Sequence, residues 1–514
     1  MYSLRRECME SRERKGRVAG QRFVVGVGAV LLLPSVSCIA YVPSSGSQTA
    51  KRSEQRQEDP ERLLQQGQVR AAIEEYRRAI ARAPLDAKNY YGLAVALDRA
   101  GALHEERVAL QRVLRLDTRY APAHNQLGLL NMKEAKQVLA AVEFKKAIAL
   151  DPQYAEAKNN LGVLMRAQGE NGTAEALFRE AIADDTRYAQ AMRNLGSLLA
   201  FETRLAEAAE VLRRAIEADP KNVDSLTEDA MVLMRMNKKA EAVEEFRAAM
   251  KAEPQRAEMH INLGIALADS ADLDGALGEF SEAIRLKPES GVAHHNRGRV
   301  LTEMNRDAEA KIELEKAVWL KDDEAQWWSV LGALARKMGE KDEALRAFRK
   351  AVELEPKNAK RQYAMGEALR EAGDLDSAVA AWRLAIALQP EYTDALYALS
   401  RAVARTDPVE SNELQARFIK LQTLQRATDE AQTIGNDALN AAAGGDWATA
   451  ITQLKKAIDR CGECSVRPQL HKNLGLVYCQ SGDLKNGESE LLEADKFLPG
   501  DADIAKALQI IRLR

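Results

Sequence analysis

The stretch Ala121–Tyr154, APAHNQLGLLNMKEAKQVLAAVEFKKAIALDPQY, sets the architecture, because its pattern returns every 34 residues from Ser53 to Tyr392 with no insertion or deletion. Stepping by 34 from Pro84 lands on Thr118, Pro152, Thr186, Pro220, Pro254, Pro288, Asp322, Pro356 and Pro390. Seven of those ten positions are proline in a chain that has only 14, so the period is not a product of composition. Self-similarity at this spacing implies a stack of helical hairpins, each unable to bury its apolar side alone. The expected fold is all-α, and function belongs on an extended surface rather than in a catalytic pocket.

Within the quoted stretch, helix A is expected over Pro122 to Lys133 and helix B over Ala135 to Ile148. Small residues recur where two helices must approach closely. Position 8 is Gly128, Gly162, Gly196, Gly264, Gly298, Gly332 and Gly366. Position 20 is alanine in nine of ten repeats and position 27 likewise, as in Ala140, Ala147, Ala208 and Ala215. Larger side chains there would overpack the A/B seam at a cost of about 1–3 kcal/mol. Position 24 carries bulk, with Tyr76, Phe144, Phe178, Phe246, Phe280, Phe348 and Trp382, and is expected to fill the next layer. Gly101, Gly169, Gly339 and Gly373 fall at position 15, where a left-handed cap suits glycine. The phased prolines sit just beyond helix B, where a missing N–H costs nothing.

These Leu-Gly, Ala, Phe and Pro positions resemble the tetratricopeptide repeat, or TPR. The resemblance implies a right-handed superhelix of ten repeats. Departures are Pro60 in the first repeat, Ala94, Glu106 and Val113 in the second, and Ala230 in the sixth. The second repeat is therefore where packing is least certain to follow the pattern. Beyond the array, Asp394 to Ala404 reads as one more helix A, Pro408 is expected to break the chain, and Val409 to Ala443 reads as one long helix with Leu414, Phe418, Leu421 and Leu424 on its apolar face. Two further hairpins follow, and Asp501 can cap a last helix through Leu513. The resulting organisation is a signal peptide over 1–38, a flexible tether over 39–52, the main array over 53–404, a connecting helix over 405–430, and a TPR pair with a capping helix over 431–514.

The N-terminus carries an address. Arg5, Arg6, Arg12, Arg14, Lys15, Arg17 and Arg22 precede the apolar Phe23–Leu33, which is too short to span a bilayer comfortably. Ser35-Val36-Ser37-Cys38 then resembles a bacterial lipobox, which implies lipidation of Cys38, although serine stands where leucine is usual. An ordinary cleaved signal and an uncleaved anchor are the alternatives. Ile39 is not the aspartate that retains lipoproteins at an inner membrane, so an outer-membrane, periplasm-facing location is expected. Residues 44–52 are polar and read as the tether.

In a TPR superhelix helix A lines the concave face. Its position 6 reads Gln126, Asn160, Asn194, Asn262 and Asn296, with Asn473 in the last hairpin. Asparagine is a middling helix former, so the recurrence calls for a reason. An amide both donates and accepts, and can clamp an extended peptide backbone; the row resembles the asparagine ladder of peptide-binding TPR proteins. Equally, the amides can bond neighbouring helices and only stabilise the stack. Asn125, Asn159, Arg193 and His295 at position 5, with Arg299 at position 9, are expected to share that groove, the two arginines either accepting an acidic segment or standing solvated. No repeat of the main array has lysine at position 5, which excludes the carboxylate clamp of chaperone-binding TPRs.

Cys461-Gly462-Glu463-Cys464 lies in a turn, and in an oxidising compartment it is expected to form a disulfide. A redox-active pair would want a helix N-terminus in a strand-containing context. A zinc site from Cys461, Cys464, His471 and Cys479 fits by residue type, but Cys479 lies roughly 15 Å along a helix from the turn, and it is expected to be a free buried thiol. The net charge of −3 with 29% charged residues leaves no basic stripe, so no nucleic-acid partner is expected. No phosphate loop, metal helix or nucleophile elbow occurs, and His104, His124, His260 and His294 read as surface or satisfied side chains. No enzyme activity, cofactor or metal is expected.

The stretch Arg460–Leu491, RCGECSVRPQLHKNLGLVYCQSGDLKNGESEL, taken with the array and the lipobox-like segment, is similar to TPR lipoproteins of the myxobacterial adventurous gliding machinery. That implies a lipid-anchored interaction scaffold of the cell envelope whose partners are envelope proteins or extended peptide segments, in a gliding-motility complex. Assembly of a pilus or secretion pore, or an adaptor role for cell-wall enzymes, are the alternatives.

Overall fold

The computed structural model describes residues 59–513. The signal-like segment, Cys38, the tether and the first residues of repeat one lie outside the described residues. Those described are helices joined by short turns, with no strand among them. They form two compact bodies, one ending at Val300 and the other beginning at Leu301.

In the N-terminal body the quoted repeat folds as helices Ala121–Lys133 and Gln137–Leu150. Helix B thus starts two residues later than its pattern suggested. The reason is Ala135, which adopts φ 58° and turns the chain instead of opening the helix. Behind it, the Lys136 N–H donates to the Asn131 carbonyl at 2.7 Å and the Ala135 N–H to the Met132 carbonyl at 2.9 Å, satisfying the last carbonyls of helix A. The same left-handed residue recurs at position 15 of every repeat, as glycine in Gly67, Gly101, Gly169, Gly339 and Gly373 and as a residue with a Cβ in Ala135, Thr203, Asn237, Ala271 and Asn305. A β-branched side chain is the least suited to that conformation. Thr203, exposed and at φ 66°, should therefore be improved by Thr203→Gly, raising stability by about 1 kcal/mol. A higher thermal midpoint, or slower amide exchange across the Ala189–Phe201 and Leu205–Ala218 hairpin, would show it; a lowered midpoint would refute it.

The A/B seam is built on position 8. A Cβ placed on Gly162 would lie 2.7 Å from Phe178 Cε1, and one on Gly264 2.6 Å from Phe280 Cε1. In the C-terminal body a Cβ on Gly366 would lie 2.5 Å from Trp382 Nε1. The bulky position 24 side chain therefore seats on the glycine of its own repeat, sixteen residues back, and also joins the next layer, Phe144 clustering with Leu161 and Leu164 and Trp382 with Ala395 and Leu396. Phe144, Phe178, Phe246, Phe280 and Trp382 are buried there together with the alanines of positions 20 and 27.

The second repeat departs from this pattern without breaking it. Glu106 occupies the alanine position and is completely buried. Its Oε1 accepts a hydrogen bond from Gln126 Nε2 at 2.9 Å, and the Asp98 carboxylate, which pairs with Lys133, stands beside it.

Three position 4 histidines or their counterparts carry a second recurrent clip. His124, His260 and His471 place Nδ1 at 2.6, 2.7 and 2.6 Å from Glu143, Glu279 and Glu490 on the facing helix. His260 and His294 also set Nε2 against the carbonyls of the phased prolines Pro254 and Pro288, at 3.0 and 3.1 Å.

In the C-terminal body, Pro408 does not interrupt the chain. It is the first residue of a 36-residue helix, Pro408–Ala443, whose N-terminus is capped by the Asp407 carboxylate accepting from the Glu410 N–H at 2.9 Å. Leu414 is buried and Phe418 and Leu421 are partly so against the Thr393–Val403 helix, while Leu424 is exposed. The far half of the long helix pairs with Trp447–Cys461, and Arg467–Ser481 pairs with Leu484–Asp495. Asp501 caps the last helix, Ala502–Arg512, by accepting from the Asp503 and Ile504 N–H groups. Among the described residues no helix is long and apolar enough to cross a membrane.

Candidate functional site

The amides singled out by their register sit in the N-terminal body, and most are buried: Gln126, Asn159, Asn160, Asn194, Asn262, His295 and Asn296 each expose less than a tenth of their surface. Two of them are bonded along the stack, whereas Asn262 Oδ1 is buried without a hydrogen-bond partner among the described residues. Asn160 Nδ2 donates to Asn125 Oδ1 at 3.0 Å, and Asn194 Nδ2 donates to Asn159 Oδ1 at 2.8 Å. Position 6 of one repeat thus ties to position 5 of the repeat before it, fixing adjacent A helices in register. Asn296 turns inward instead, donating Nδ2 to the Val292 carbonyl at 3.0 Å and accepting from Arg299 Nη1 at 3.2 Å. In the C-terminal body Asn473 accepts from Gln469 Nε2 at 2.9 Å.

The charges expected in the groove are answered within it. Arg193 Nη1 bonds Glu228 Oε1 of a later repeat at 2.8 Å, and the pair is largely enclosed. Burial raises the Glu228 pKa against the opposing pull of Arg193. His295 is pushed down to about 3, first by burial and then by the Arg299 charge, so its ring is neutral at physiological pH. Arg193 is thus tied to its own chain by an ion pair, and Arg299 by a hydrogen bond to the neutral Asn296 amide.

The same face carries a row of tyrosines that sequence reasoning passed over. Tyr120, Tyr154 and Tyr188 each stand just before a helix A, at the N-cap positions of Ala121–Lys133, Ala155–Ala167 and Ala189–Phe201. The signal was available, since they share position 34 of successive repeats. Each meets the position 5 side chain of its own repeat: Tyr120 packs on Tyr91 with ring centroids 5.3 Å apart, Tyr154 lies beside Asn125, and Tyr188 beside Asn159. The C-terminal body repeats the device, with Tyr363 and Tyr392 at 5.2 Å, edge to face. Among the first four tyrosines stands Glu156, half-buried, accepting from Asn125 Nδ2 at 3.2 Å and lying beside the Tyr154 hydroxyl. Burial raises the pKa of this carboxyl and of all four phenols, and the nearby Glu156 charge raises Tyr91, Tyr154 and Tyr188 further.

Cys461 and Cys464 are joined by a disulfide with Cα atoms 5.1 Å apart, and Cys479 is a free, half-buried thiol. With His471 on Glu490, the four donors of the zinc alternative are not gathered. Among the described residues no group of three metal-ligating side chains comes together.

Comparison with known proteins agrees with the architecture. A tetratricopeptide repeat model matches residues 61–121, 139–188, 166–223, 228–291 and 363–411, and a second one matches 325–358. No curated protein sequence matches the chain. Among solved structures the chain is similar to YrrB, described as a TPR protein with an unusual peptide-binding site, at 23% identity over 36% of this chain and 96% of that one, TM-score 0.33. It is similar to Pseudomonas aeruginosa PilF at 21% identity over 41% and 96% of the two chains, TM-score 0.37. It is also similar to a tetratricopeptide repeat protein of Parabacteroides merdae at 16% identity over 48% and 98%, TM-score 0.40. The family models cover more than half of the sequence along the same helical hairpins: the chain belongs to the tetratricopeptide repeat family, a family of protein–protein interaction scaffolds that are usually not enzymes.

Proposed function

We propose that this protein is a lipid-anchored interaction scaffold of the bacterial cell envelope, held at the periplasmic side of the outer membrane through Cys38 and serving a gliding-motility complex. The observation that carries the scaffold reading is the amide stitching of successive A helices, Asn125 to Asn160 and Asn159 to Asn194. It pre-forms one continuous side-chain surface across several repeats, so little ordering is needed when a partner segment lies down on it. Support for the anchor comes from the basic, apolar and lipobox-like run ahead of Cys38 and the polar tether behind it. Support for the motility role comes from the likeness carried by Arg460–Leu491 and the array.

The test is made in cells. Cys38→Ser should move the protein from the membrane to the soluble fraction, and unchanged membrane partitioning would sink the anchor. In-cell cross-linking of the wild-type chain should recover motility-complex components. Recovery of a secretin would instead assign pore assembly, and recovery of peptidoglycan enzymes an adaptor role.

A further inference from the structure

We infer that the face formed by Tyr91, Tyr120, Tyr154 and Tyr188 around Glu156 docks a lysine or arginine side chain projecting from an extended partner segment. This rests on the scaffold reading and names the chemistry its partner must supply.

Charge accounting along the face points to a cation. Several enclosed carboxylates of the same body have a cationic partner from this chain: Glu228 has Arg193 at 2.8 Å, Asp184 has Lys158 at 2.6 Å, and Glu143 has Lys146 at 2.8 Å. Glu156 is held only by Asn125 and the Tyr154 hydroxyl, and no cation of this chain acts on it among the described residues. Further acidic groups border the row, Asp86 and Asp117 beside Tyr120 and Asp185 beside Tyr188. Lys158, the nearest lysine in sequence on the Glu156 helix, is committed to Asp184 and Glu180. The site therefore presents a carboxyl group that no cation of this chain pairs with among the described residues.

The rings supply the remainder of the recognition. Aromatic faces attract a cation through the ring quadrupole, more strongly where water is thinned out, and a carboxylate at the same point adds a charge-assisted hydrogen bond. The tyrosines are half-buried, so packing holds them while part of each residue remains accessible. Their phenols stay protonated at physiological pH, since burial raises them, and so add no competing charge. A long lysine or arginine stem could lie along the rings with its head at Glu156. An anionic segment would meet Glu156 and three bordering aspartates.

Four degenerate fluorescent nonapeptide pools, with lysine, arginine, citrulline or norleucine at the centre, test this by polarisation on the full-length protein. The lysine and arginine pools should bind about tenfold tighter than the two neutral pools, and their advantage should shrink as salt is raised. Glu156→Gln, which keeps the shape and the Asn125 contact, should abolish that advantage with helicity unchanged by circular dichroism. Tyr91→Leu should reduce it while leaving Glu156 in place. Equal binding of all four pools, or a cationic preference that survives Glu156→Gln, overturns the inference and leaves the scaffold reading standing. Binding by no pool also overturns it, and the cellular cross-links then judge the scaffold reading separately.

Discussion

Gly162→Val is expected to destabilise its hairpin by about 3 kcal/mol, the upper part of the range for overpacking a tight core. The first atom added would already lie 2.7 Å from Phe178 Cε1, and a fully buried ring wedged between helices has no free direction in which to retreat. Alanine would be a weaker test, because Ala230 stands in the glycine register opposite Phe246 and both are fully buried. The repeat can absorb one methyl at this register but has no room for a branched side chain. Gly172→Val in the Asn171–Asp184 helix is the matched control. Nothing lies within 4 Å of a Cβ there, so its effect should stay within a few tenths of a kcal/mol beyond the propensity change. Adding Phe178→Ala to Gly162→Val should recover part of the loss, a coupling that a double-mutant cycle in urea would report. If the two valine variants lose the same stability, steric contact at the seam is not what holds the hairpin closed.

The second large effect concerns pH. Glu106 is fully buried at a position where the other repeats have alanine, and its carboxyl is pushed up to about 7, chiefly by burial and further by the adjoining Asp98 charge. An unfolded glutamate titrates near 4.5. The folded state therefore favours the protonated form. Its contribution is complete below about pH 4.5 and is lost as pH rises through about 7, amounting to about 3 kcal/mol over that window. Glu106→Gln keeps an acceptor for Gln126 and cannot ionise. It should match the wild type near pH 4.5 and exceed it increasingly up to pH 8, read from urea midpoints or from amide exchange in the Leu103–Leu116 helix. A difference that does not change with pH would mean that Glu106 is not titrating in the seam.

The parts of the fold that could be read in advance are those fixed by sterics within one repeat. Gly162 and Phe178 are sixteen residues apart and meet in the same hairpin, so a small residue opposite a large one leaves a trace in every copy. The left-handed turn at position 15 was visible through its glycines, yet the structure shows it also at Ala135, Thr203, Asn237, Ala271 and Asn305. There the turn's hydrogen bonds and the packed helices on either side outweigh local preference. The start of helix B was misplaced for the same reason, since alanine at position 135 favours helix when read alone. Pro408 reads as an interruption in the sequence because proline stops a helix from within, but at the first position it opens one.

The helical-hairpin architecture was thus inherent in the periodic placement of glycine, alanine and proline, since each enforces or permits a contact between residues close along the chain. The roles of the polar side chains were not. Asn160 is bonded to Asn125 thirty-five residues away, and Arg193 to Glu228 at the same separation. Whether such a group turns to its neighbour or to a ligand depends on how one hairpin stacks on the next. Only the stacked helices could show that Arg193 is already matched and that Glu156, among its tyrosines, meets no cation among the described residues. The physical reason is that a side-chain charge is settled by whichever partner desolvation and geometry bring within hydrogen-bond reach, and that partner lies a full repeat away.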